Sequence, residues 1–160
     1  VAERQRVSVE GYARRFWQGS HDHRGTPENP GRVVTLVAEP DAICHGLALQ
    51  LPLDRQEEIL AELDYREKDG YERVLLTVQR LNGTSFDALT WVACHDNSSW
   101  FGEAPMSRLV EQINRAEGLS GANGDYVTQL DSALRNLGIV DLHVQSIADG
   151  LTSLRAKCQP

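Results

Sequence analysis

The sequence is poor in cysteine and methionine, has fewer basic than acidic residues, and lacks long apolar runs. Its three cysteines, Cys44, Cys94 and Cys158, are an odd number set far apart, which makes neither a disulfide framework nor a zinc ribbon. Such usage fits a reducing cytoplasm. No stretch reaches the length of a membrane span, and the N-terminus lacks the apolar centre of a secretory signal, so a soluble, unexported protein with no membrane partner is expected. Sixteen basic residues against twenty-three acidic ones give a formal charge of −7, which repels phosphate backbones and anionic lipid and argues against nucleic acid as a partner. Neither an internal repeat nor a low-complexity segment is present. There is no Gly-x-Ser-x-Gly elbow, and the spacing of Gly118, Gly121 and Gly124 is neither a dinucleotide fingerprint nor a P-loop. The single methionine is Met106 and residue 1 is Val, so the chain is expected to be incomplete at its start.

What is present is an ordinary globular composition, 41% hydrophobic and 24% charged over 160 residues. That length suits one domain, residues 1–160, with one core. Val7 to Gln18 reads as a strand bent at Gly11, with Phe16-Trp17 as its apolar bulk. Gly19 to Gly31 reads as a long loop, and Arg14, Arg15, Arg24 and Arg32 make this region locally basic, suited to a small anionic ligand. Val33–Ala38 and Cys44–Leu51 read as two strands separated by Pro40. A helix over about Arg55–Leu63 opens on Asp54 and Glu57 in the manner of a capping box. After Gly70, Val74, Leu76 and Val78 alternate in a strand over Glu72–Leu81, and Asn82-Gly83 turns the chain into Phe86–His95, whose two apolar faces suggest a central strand. The last third is helical, with stripes Met106, Leu109, Val110, Ile113, then Tyr126, Val127, Leu130, Leu134, Leu137, then Val144, Ile147, Leu151 behind an Asp141 cap. Strands first and helices last is an α+β order.

Two sets of metal-ligating residue types stand out and lead nowhere. Cys44-His45 and Cys94-His95 are neighbours on strands, so their side chains point to opposite faces, and His21-Asp22-His23 has no downstream partner at a metal spacing. The richest gathering of ionisable groups is Leu63–Tyr71, where the helix hands over to a strand and Glu67 occupies the corner. A carboxylate on such a corner is either enclosed between the two elements or kept beside the Arg66 and Lys68 cations. A solvated charge run at a helix end explains the same residues.

Arg14-Arg15-Phe16-Trp17-Gln18-Gly19-Ser20, Asp22-His23-Arg24-Gly25-Thr26-Pro27 and Pro30-Gly31-Arg32-Val33-Val34-Thr35-Leu36 together closely resemble the ChaC family of glutathione-specific γ-glutamylcyclotransferases. The resemblance continues through Tyr65-Arg66-Glu67-Lys68 with Gly70-Tyr71, Gly102 with Ala104-Pro105, and Ser120-Gly121 with Asn123 and Tyr126. It implies a small mixed β-barrel with flanking helices and a helical C-terminal third, and a general acid/base at Glu67. It further implies cleavage of glutathione to 5-oxoproline and cysteinylglycine with no metal and no organic cofactor. Tyr126 is expected to help hold the γ-glutamyl group, and Arg24 and Arg15 are candidates for a substrate carboxylate. Asp69 and Glu103 depart from the family pattern, which usually has Gly and Pro there. Nothing before Val7 resembles the family's first strand and its Tyr-Gly-Ser-Leu loop, which leaves as an alternative a non-catalytic member that binds a γ-glutamyl ligand or a protein partner.

Overall fold

Two long strands begin the chain, β1 (Arg4–Ser20) and β2 (Gly31–Leu49). The computed structural model describes residues 3–157; Cys158 lies outside the described residues. In β1, Val7 and Val9 face a core that Tyr12 also joins. Strict alternation would turn Tyr12 to the opposite face, and the shift of phase falls at Gly11, whose φ of 79° is open to glycine at little cost. Gly11, where the bend is expected, thus departs from extended geometry within β1. β2 joins the two strands read from the sequence into one, because Pro40 does not end it. β2 is the edge of the four-stranded order β2-β1-β3-β4, and an edge strand can turn the missing N–H of proline away from its neighbour. Residues 38–41 are exposed, as such an edge requires.

β3 (Tyr71–Arg80) and β4 (Ser85–Ala93) form an antiparallel hairpin in register from Tyr71 opposite Ala93 to Gln79 opposite Ser85. Its turn is built as Asn82-Gly83 predicts, with Gly83 at φ 83° and Asn82 Oδ1 accepting from the Thr84 N–H at 3.0 Å. Val78 is buried and Val74 and Leu76 partly so, while Leu75 between them is exposed. β4 corrects the expectation of a central strand: it ends the sheet, and Leu89 on its outer face is 42% exposed. Apolar residues on both faces do not by themselves require burial on both. The α+β class is the one the chain adopts, and because the strands run as an open sheet, the barrel of the expected description is a loose one.

The helix after β2 is preceded by a 3-10 turn at Leu53–Arg55 and runs as α1 (Gln56–Arg66). The capping box is not formed. Asp54 lies within the 3-10 turn, neither start has a side-chain cap, and Arg55 is instead paired with Glu58 at 2.9 Å. No residue of α1 is buried. The remaining helices are α2 (Met106–Arg115), α3 (Asn123–Asn136) and α4 (Leu142–Lys157), with a small hairpin of β5 (Glu117–Gly118) and β6 (Gly121–Ala122) before α3.

The chain divides into two compact units, to both of which β1 and β2 contribute. One comprises residues through Ala13 with Leu36–Ser98, and its core is Val7, Val9, Cys44 and Val78. The other comprises Arg14–Thr35 with residues from Ser99 on, and there Phe16 shares a buried core with Leu109, Ile113, Val127, Val144, Ile147 and Leu151. The helical stripes predict most of that core. Gly150, which weakens a helix by about 1 kcal/mol relative to alanine, is explained by packing: a Cβ there would fall 2.6 Å from Val110 Cγ2. Gly138 at φ 68° ends α3, with the Ile139 N–H returning to Leu134 O at 2.9 Å.

Asp141 caps α4 as predicted, accepting from the Val144 N–H at 3.2 Å through Oδ1. Its Oδ2 takes a 2.7 Å ion pair from Arg14, with side chains only 13% and 15% exposed. Asp141→Ala removes both a cap worth about 1 kcal/mol and a shielded charge partner. A loss of about 2 kcal/mol in chemical denaturation is expected, and a loss under about 0.5 kcal/mol would count against the double role.

Candidate active site

Glu67 is the C-cap of α1, with φ −93° and ψ 9°, and its N–H donates to Leu63 O at 2.9 Å. It is half-buried, unlike its exposed neighbours Arg66 and Lys68. Lys68 lays its ammonium over the Tyr65 ring, 4.1 Å from the centroid. Three residues beyond Glu67 the chain reverses at Gly70, whose φ of 95° admits glycine best. Gly70 O accepts from the Cys94 N–H at 3.0 Å, one step beyond the Tyr71–Ala93 pair. The predicted corner between helix and strand is thus tied to the sheet at its far side.

In the other unit the loop after β1 is well laced. Leu119 N–H donates to Asp22 O at 2.8 Å and Ser120 N–H to His23 O at 2.9 Å, so the loop pairs with the β5–β6 hairpin. His23 Nδ1 and Ser120 Oγ are 3.0 Å apart. A Cβ on Gly118 would strike Asp22 O and Gly25 N, and one on Gly31 would strike Arg24 O; side chains would push these segments apart. Arg24 donates its N–H to Ser20 Oγ at 2.9 Å and an Nη1 hydrogen to Ala122 O at 3.2 Å. Its guanidinium stands 5.4 Å over the Tyr126 ring. Tyr126 also meets Phe16 edge-on at 5.9 Å and accepts weakly from the Val34 N–H at 3.5 Å.

The structure brings Arg24 and Tyr126 together, whereas Arg15 donates to Arg14 O at 3.0 Å and lies near His143. Glu67 belongs to the other unit. Among the described residues no group of three or more His, Cys, Asp or Glu is placed to hold a metal ion.

Sequence reasoning missed a polar clamp in the unit that holds Arg24 and Tyr126. Asn123, fully buried, accepts from the Arg32 N–H and donates to Arg32 O, both at 2.8 Å. Arg32, 6% exposed, donates to Gln112 Oε1 at 2.7 Å, Phe16 O at 3.0 Å and Gly102 O at 2.8 Å, and stands 5.3 Å over the Phe101 ring. Burial lowers its pKa from the ordinary guanidinium value. Asn123 could be taken for an ordinary helix-start polar residue, and only the tertiary fold reveals that its amide reads the backbone of Arg32.

His143 was also missed. Its Nε2 accepts from the Phe16 N–H at 3.1 Å, and burial, helped by the Arg15 charge and opposed by Asp141, pushes its pKa down to about 4. Between the ordinary value of 6.5 and about 4 the unfolded chain binds a proton that the folded chain does not. Stability from this group is therefore fully present above about pH 6.5 and declines as pH falls toward 4, by about 1–2 kcal/mol after allowance for solvent screening at this part-buried ring. His143→Gln, which keeps an acceptor and does not titrate, is expected to lose less stability than the parent between pH 7 and 4.5. Equal losses in urea denaturation would refute this.

The fold matches that of a yeast γ-glutamyl cyclotransferase specific to glutathione, with a TM-score of 0.91 over 99% of this chain and 91% of that one at 24% identity. The class is therefore the α+β cyclotransferase fold. Residues 2–154 match the family described as ChaC-like protein, and the chain belongs to that family. Among curated relatives, the Arabidopsis thaliana "Gamma-glutamylcyclotransferase 2-3" is 37% identical over 88% of this chain and 75% of its own. The Rattus norvegicus "Glutathione-specific gamma-glutamylcyclotransferase 1" is 36% identical over 91% of this chain and 68% of its own. Among the described residues no helix is long and apolar enough to cross a membrane.

Proposed function

We propose that this chain is a γ-glutamylcyclotransferase that splits glutathione into 5-oxoproline and cysteinylglycine in the cytoplasm, with no metal or organic cofactor. The observation that carries this reading is the 36% identity, over 91% of the chain, to a rat enzyme named as glutathione-specific. Nothing in these likenesses favours the non-catalytic alternative. The α-amine of the γ-glutamyl group attacks its own γ-amide carbonyl, a C–N bond closes the five-membered ring, and the amide bond to cysteine breaks. Because the nucleophile is tethered to its target, much of the entropic barrier is already removed. What remains is moving one proton from the attacking amine to the departing cysteinyl nitrogen.

Glu67 is our candidate for that transfer, since a carboxylate can accept the amine proton and return it as the leaving group departs. Its half-buried corner limits competition from solvent. Tyr126 is our candidate to hold the γ-glutamyl group and Arg24 to pair with a substrate carboxylate, a role supported by the way the guanidinium is steadied at 3.2 Å from Ala122 O. Arg15 is a further carboxylate candidate. The domain is read as one functional unit over residues 1–160. Incubating the purified protein with glutathione and following 5-oxoproline by mass spectrometry tests the reading: stoichiometric release of cysteinylglycine is expected, and no turnover at millimolar glutathione would overturn it.

A further inference from the structure

α1 presents a puzzle: it ends on Glu67, yet none of its residues is buried. A helix without an enclosed face is poorly fixed by packing, whereas a proton-transferring carboxylate must be held to within a fraction of an ångström. The structure offers one specific tie. Asp64 Oδ1 accepts from Trp91 Nε1–H at 3.0 Å, and its Oδ2 is 3.3 Å from Arg73 Nη1. Arg73 and Trp91 are directly opposite one another in the β3–β4 ladder. Cross-strand partners present their side chains on the same face, so the two oxygens of one carboxylate are divided between the two members of one strand pair.

We infer that Asp64, clasped by Trp91 and Arg73, is a positioning residue for Glu67. Asp64 and Glu67 are three residues apart, which on a helix is about one turn and one face. Fixing Asp64 against the sheet therefore fixes both the rotation and the height of the turn that carries Glu67. The peptide beyond Glu67 is held separately by Gly70 O and the Cys94 N–H, so the catalytic corner is stretched between two anchors on the same hairpin. Neither partner of the ion pair is shielded: the Arg73 and Asp64 side chains are 41% and 43% exposed. Such a pair contributes little to global stability. Its consequence is local geometry, and displacements near 1 Å can cost about 10²-fold in rate.

The inference rests on the proposed cyclotransferase activity, and the test separates the two. In Asp64→Ala, kcat for 5-oxoproline release is expected to fall about 10- to 100-fold with KM within about threefold and the thermal midpoint within about 3 °C. Asp64→Asn, which keeps one oxygen for Trp91 Nε1–H, is expected to recover a large part of the loss. Amide hydrogen exchange provides the readout that does not need turnover: amides of Tyr65–Asp69 should exchange at least about tenfold faster in Asp64→Ala, with the β3–β4 amides unchanged. Unaltered exchange at the corner overturns the clasp, whatever the activity. Faster exchange with parental kcat, or a loss confined to KM, overturns the positioning role. A parent protein that does not turn over glutathione defeats the proposed activity and with it the catalytic role of the clasp, while the exchange data still decide whether Asp64 holds the corner.

Discussion

Glu67→Gln is expected to lower kcat for 5-oxoproline release by a factor of about 10² to 10⁴, the range typical of a positioned acid/base, with KM and thermal midpoint close to those of the parent. Glutamine fills the same half-buried space and leaves untouched the backbone N–H that caps α1 at Leu63 O, so a structural cost is not anticipated. The amide can still donate and accept hydrogen bonds, but it cannot take a proton from an amine and return it. Rate without binding is the signature of such a change. Glu67→Asp retains the acid and withdraws it by one methylene, so an intermediate loss is expected. Steady-state kinetics on all three proteins discriminates the roles. A glutamine variant with raised KM and intact kcat would make Glu67 a binding group, and one with full turnover would remove it from the chemistry altogether.

The position of that corner was legible in the sequence because it rests on local rules: a helical run, Gly70 as a breaker, and alternation resuming at Val74. Local rules likewise located the Asn82-Gly83 turn, the Asp141 cap and the three C-terminal helical stripes. They failed where tertiary context decides. Pro40 ends a strand in a sheet interior but not on the outer edge, and no pattern in the sequence says which strand is outermost. Leu89 and Trp91 suggest burial on a second face of β4, yet Leu89 is open and Trp91 spends its N–H on Asp64 from α1. Asp54 and Glu57 have the spacing of a capping box, and the 3-10 turn that begins at Leu53 takes the chain past that register. Residues such as Arg32, Asn123 and His143 carry no periodic signal. Each works by reaching a backbone group distant in sequence, which only the assembled fold brings near.

Arg32 gives the larger stability effect. Its guanidinium supplies hydrogens to Phe16 O, Gly102 O and Gln112 Oε1 from a position 6% exposed. Arg32→Met keeps the length and apolar stem but leaves those three acceptors without their donor. An unsatisfied buried acceptor costs about 1–3 kcal/mol. Some relaxation toward water at the half-buried Gln112 is expected, so the net loss should be about 3–5 kcal/mol, or roughly 10 °C in thermal midpoint for a chain of this size. Burying the guanidinium is itself costly, as its lowered pKa reflects, and that cost offsets part of what its hydrogen bonds contribute. Breaking one side is different, because the acceptors remain. Arg32→Lys tests geometry against charge: an ammonium at that depth cannot span Gln112 and both carbonyls as the planar fork does, so it should recover less than half the loss. Recovery to parental stability by lysine would show that charge alone matters here. Because the Arg32 backbone is also held on both sides by Asn123, a Met variant that remained folded and kept its KM would assign positioning of this segment to the Asn123 amide and leave the Arg32 side chain as a purely structural bolt.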